Sequence, residues 1–131
     1  MESCAVLLYH SSFSPAAGLA AKGRALAESL GGRLGILAPE DIEEAGKIPA
    51  DVLYTLSAGA AALLPESAAA LLQQSAAAAG AKVVLLAATR TGNEIAARTA
   101  EALDAGCISE CLSLCIDGGR LQAKRDIYGG I

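Results

Sequence analysis

The chain is predicted to be α/β: a mainly parallel sheet flanked by helices in a three-layer sandwich, with a C-terminal antiparallel β-hairpin. Three observations in the 131 residues lead there. Apolar runs of strand length, such as Ala5-Val6-Leu7-Leu8-Tyr9, are continuous rather than alternating, which marks strands covered on both faces. Strand-like and helix-like segments follow one another in turn, the pattern of a parallel sheet with right-handed crossovers. Near the end, two alternating segments flank Asp117-Gly118-Gly119, a strong hairpin signal.

The elements follow in order. Ala5 to Tyr9 is the first strand. Ser14-Pro15 supplies an N-cap and a proline at the first helical position, so a helix is predicted from Pro15 to Leu30. Leu19, Leu26 and Leu30 line one side of it with Ala16, Gly23 and Ala27, and Gly31-Gly32 closes it. Leu34 to Ala38 is a second strand, broken by Pro39, and Asp41 to Ala45 reads as a short helix. Val52 to Leu56 is the third strand. A helix follows from Pro65 to Ala79 and ends at Gly80. Val83 to Ala87 is the fourth strand, and Gly92 to Ala105 the last helix, closed by Gly106. Ile108 to Ile116 and Arg120 to Tyr128 are the hairpin arms. Glu110 and Arg125 interrupt their apolar faces and could pair with each other or meet a partner chain.

Composition bounds the function. The length fits one domain over residues 1–131, with no linker or internal repeat. The apolar share is 53 % but aromatics are only 3 %, and alanine supplies much of the difference, favouring close helix-to-sheet packing. A net charge of −4 with scattered basic residues, only Lys124-Arg125 being adjacent, argues against nucleic acid. No apolar stretch reaches the roughly 18–20 residues of a membrane span, and the start lacks a basic n-region. A cytoplasmic protein is expected. Its four cysteines are then expected as free thiols. Cys107, Cys111 and Cys115 recur every fourth residue. On a strand that spreads neighbours by roughly 13 Å, too far for one ion, so no metal site is expected.

Three segments are predicted at the carboxyl ends of strands, where open parallel sheets bind ligands: Tyr9-His10-Ser11-Ser12, Ser57-Ala58-Gly59 and Thr89 to Asn93. The third is the best candidate. Arg90, Thr91, Gly92 and Asn93 open a helix, whose first amides attract anions. The same residues also read as a capped helix start, and that reading is preferred. His10 is the only histidine. It stands in no nucleophile motif and reads as a polar strand terminus rather than a catalytic base, and no catalytic residue is assigned. Glu40-Asp41 and Glu43-Glu44 read as a solvated acidic face. Neither a P-loop nor a Gly-x-Gly-x-x-Gly fingerprint is present.

The segment from Val83 to Gly130 resembles the end of the amino-terminal domain of electron transfer flavoprotein alpha subunits. The matching features are the loop Thr89-Arg90-Thr91-Gly92-Asn93-Glu94, the helix with Ala96-Ala97-Arg98, the pair Ser109-Glu110, and the ending Arg125-Asp126-Ile127-Tyr128-Gly129-Gly130. The chain departs at Asn93, where a basic residue is common, at Glu110, where Asp is, and at Asp126, where Pro is. The earlier part agrees only in strand–helix order. In that family FAD sits mainly in the following domain and AMP in the beta subunit. The resemblance therefore implies a supporting and docking domain of a flavin-based electron carrier. No cofactor would be held by this chain, and FAD and AMP would belong to the full complex. The partners implied are a beta-like subunit, in a heterodimer, and a flavin-binding domain. The chain ends near a domain boundary of that family, before any flavin domain. An electron-carrier component is implied rather than an enzyme in its own right.

Two other readings stand beside it. The layout is also that of adenine-nucleotide alpha-hydrolase-like sandwiches, so a small adenine-nucleotide-binding module using Thr89 to Asn93 is the alternative. A stand-alone enzyme using His10 or a cysteine is the third.

Overall fold

The computed structural model describes residues 3–11, 16–39, 48–56, 64–107, 111–118 and 120–125. Strand β1 is Val6–Tyr9, helix α1 Ala20–Ser29, β2 Leu34–Pro39, β3 Val52–Leu56, α2 Pro65–Ala79, β4 Val83–Leu85 and α3 Arg90–Leu103. Strands β5 (Cys111–Asp117) and β6 (Arg120–Arg125) form the hairpin. The first four strands make one parallel sheet in the order β3-β2-β1-β4, and the hairpin is a separate two-stranded sheet. This is the predicted fold class.

Alternate residues of the central strands feed two cores. Val6, Leu8, Leu34 and Ile36 point to α1, where Ala20, Gly23, Leu26 and Ala27 are buried. Leu7, Tyr9 and Leu37 point to the opposite layer, where they meet Ala68, Leu72, Ala76 and Ala79 of α2 and Ile95 of α3. Every residue of β1 and β2 is buried, as the unbroken apolar runs require. Strand β3 lies at one edge, and Leu53 there is 46 % exposed.

Several boundaries move. Helix α1 is entered through a 3-10 turn at Ala17–Leu19, and the predicted cap at Ser14-Pro15 lies outside the described residues. So do the helix expected over 41–45, the hairpin residues 108–110 and the tail from Asp126. Glycine takes the left-handed position after the first two helices, Gly31 and Gly80 both having φ of +69°. After α3 that position is taken by Asp104, with φ of 53°, not by Gly106. Aspartate tolerates this region through local hydrogen bonding, so the helix ends at Leu103, two residues before the expected Ala105. Helix α3 also begins at Arg90, two residues before the expected Gly92. Strand β4 spans Val83–Leu85 and stops short of Ala87.

Asp51 joins the layers at the amino ends of the strands. Its Oδ2 accepts from the Leu34 amide at 2.9 Å and from Arg24 Nη1 of α1 at 2.6 Å. The Leu34 amide first, and Arg24 second, hold this carboxyl below its ordinary range. Close approach also explains Gly35. A Cβ there would lie 2.7 Å from Tyr54 Cε2 and 3.0 Å from Cys4 Sγ.

Gly35→Ala should therefore lower stability by about 1–3 kcal/mol through overpacking. Urea unfolding reads this directly, and an unchanged midpoint would refute the close packing. A lowered folded-state pKa at Asp51 means its contribution is complete above the unfolded value, near about 4, and lost as pH falls below it. Between pH 7 and pH 3 the urea midpoint should fall more in the natural chain than in Asp51→Asn. Equal falls would remove the carboxylate as the cause.

Candidate functional site

The chain runs outward from β1 through β2 to β3, then crosses back to place β4 on the other side of β1. That reversal makes the carboxyl ends of β1 and β4 the topological switch point, where open α/β sheets bind their ligands. Two of the three predicted segments lie there: His10-Ser11 after β1, and Thr89 to Asn93 after β4. The third, Ser57-Ala58-Gly59, lies outside the described residues, as does Ser12.

The β1 side is closed. His10 is 4 % exposed and Ser11 3 %. The His10 amide donates to the Leu37 carbonyl at 2.9 Å, continuing the sheet past Tyr9. Its Nδ1 accepts from the Ala16 amide at 2.9 Å. An accepting Nδ1 has its lone pair engaged, so the neutral ring carries its proton on Nε2. The side chain thus ties the end of β1 to the entry of α1. Rather than an open polar terminus, His10 is a buried acceptor for a backbone amide. Burial pushes the Tyr9 phenol up, with a hydrogen bond to Ser11 opposing.

The β4 side is a capped helix start. Thr89 is extended (φ −98°, ψ 167°), and its Oγ1 accepts from the Gly92 amide at 2.9 Å. The Thr89 carbonyl accepts from the Asn93 amide at 2.8 Å. Of the four candidate residues, Gly92 and Asn93 therefore have their amides committed to the helix itself. The amides of Arg90 and Thr91 are not so committed among the described residues, and Arg90 is exposed. Along the exposed face, Arg98 Nε lies 3.8 Å from Glu94 Oε2 one turn earlier, a pair screened by water.

Gly92 and Asn93 also border a groove of about 530 Å³ that the sequence does not announce. It runs along the outer edge of β4, which no other strand of the described residues covers. Ala96, Thr99 and Leu103 of α3 form one wall, and Leu114 of β5 and Leu121 of β6 lie on the other side. Thr99 is buried and donates to the Ile95 carbonyl at 2.7 Å, which leaves its methyl as the apolar part of that wall. Only the sheet order reveals that β4 is an edge strand.

The hairpin packs back on α1. Leu114 and Ile116 join the core beneath that helix, and Lys22 Nζ donates to the Leu114 carbonyl at 3.3 Å. Asp117 pairs with Arg120 across a two-residue loop, in which Gly118 has φ of +60°. The ladder is irregular between Cys111 and Ser113. Cys111 and Cys115 stand on a strand, as expected, while Cys107 precedes it. Cys4, Cys107 and Cys115 are free, the first buried and the others exposed. Burial pushes the Cys4 thiol up, against a hydrogen bond with Tyr54. Among the described residues no three His, Cys, Asp or Glu side chains are grouped to hold a metal ion. The side chains of Glu110 and Arg125 lie outside the described residues.

A four-stranded parallel sheet covered by helices, with a separate antiparallel hairpin, places the chain in the α/β class. The family model described as electron transfer flavoprotein domain matches residues 15–131, and the chain belongs to that family. It has an electron transfer flavoprotein-related role, and domains of this family work in partnership with other subunits. No curated protein and no solved structure matches the chain. Among the described residues no helix is long and apolar enough to cross a membrane.

His10→Ala would leave the buried Ala16 amide without its acceptor. A loss of about 1–3 kcal/mol is expected from that group alone, read by urea unfolding. A variant as stable as the natural chain would show that the His10–Ala16 tie is dispensable.

Proposed function

We propose that residues 1–131 form one domain equivalent to the amino-terminal domain of an electron transfer flavoprotein alpha-like subunit. Its work is to dock onto a beta-like subunit and to support a flavin-binding domain, in a cytoplasmic heterodimer whose FAD and AMP are held elsewhere. The observation that carries this reading is a parallel sheet followed by a separate β5–β6 hairpin, within a family match over residues 15–131. The packing at the end of β1 supports the absence of flavin from this chain. His10 and Ser11 fill that end of the crevice, and His10 is committed to Ala16. No catalytic residue is assigned, and the chain acts as a component of a carrier rather than as an enzyme by itself.

The test mixes the purified chain with an electron transfer flavoprotein beta subunit and an alpha-type flavin domain, followed by analytical ultracentrifugation. A ternary complex is expected, and calorimetry with FAD should show no binding by the chain alone. Micromolar FAD binding without association would overturn the reading.

A second reading, an adenine-nucleotide module at Arg90, Thr91, Gly92 and Asn93, is favoured by one observation. Among the described residues the amides of Arg90 and Thr91 have no committed acceptor at the start of α3, beside an exposed guanidinium. It expects AMP binding in the millimolar range. Arg90→Ala should weaken it about tenfold, the loss of one charge-assisted hydrogen bond of about 1.5 kcal/mol. Calorimetry showing no AMP binding at millimolar concentration would remove it.

A further inference from the structure

We draw no further inference here: the strongest candidate, the apolar groove along the outer edge of β4 between α3 and the β5–β6 hairpin, carries nothing because nothing in the structure shows what covers it.

Discussion

Strands β1 and β2 must be hidden from water on both faces at once, and the other elements are arranged around that demand. Val6 to Tyr9 and Leu34 to Pro39 are all buried. Their backbone groups are satisfied within the sheet, so the remaining cost is covering their side chains. A chain with 3 % aromatics has few large residues for this. It uses small ones on the helices instead. Ala68, Ala69, Ala76 and Ala79 of α2, and Ala20, Gly23 and Ala27 of α1, let the helices approach the leucines of the strands closely. Volume comes from the sheet and proximity from the helices. The glycines at 23 and 35 belong to the same arrangement, since a Cβ at either position would crowd a neighbour. At full burial each strand leucine contributes about 1.5–3 kcal/mol, so a helix displaced outward by larger residues would forfeit contacts along its whole length.

Close packing also determines how the two ends of the sheet differ. At the amino ends, Asp51 bridges β2, β3 and α1 with one partly exposed carboxylate. At the carboxyl end of β1, the tie is His10 to Ala16, within the core. The first fastening depends on charge and is open to pH and salt. The second is local and neutral. A buried acceptor holding a buried amide is costly to disrupt, because neither group can turn to water in compensation. At the switch point the β1 side is thus filled by buried side chains, while on the β4 side the Arg90 and Thr91 amides are uncommitted among the described residues.

Much of this was legible in the chain, and the failures have identifiable causes. Continuous runs such as Val6 to Tyr9 gave the strands, and glycines 31 and 80 marked two helix ends correctly. The third end was misplaced because Gly106 is the more obvious terminator, whereas Asp104 adopts the left-handed conformation first. The start of α3 lies earlier than the glycine suggests because Thr89 is the residue whose side chain caps the helix, accepting from the Gly92 amide. Both errors arise where two residues compete for one backbone role and pattern favours the wrong one. The candidate loop was found because strand, turn and helix are local features. The groove was not, because it depends on β4 being terminal in the sheet and on the hairpin lying against α1. His10 is intermediate: its position at a strand end was readable, but its burial depends on Ala16 folding back over it.

The hairpin draws the local and tertiary levels together. A two-stranded ribbon is marginal by itself in water. Here β5 and β6 pair only with each other among the described residues, so their order must come from what they pack against. Leu114 and Ile116 supply this by joining the core under α1, and Lys22 adds a bond to the β5 backbone. On the paired strand, Leu121 stands opposite Ile116 and is 37 % exposed. The ribbon is therefore anchored through β5, while Leu121 on β6 stays partly exposed. An unanchored ribbon would have to be ordered separately, at a cost of about 1–2 kcal/mol per residue in backbone entropy. Fastening β5 to α1 meets that cost when the chain folds.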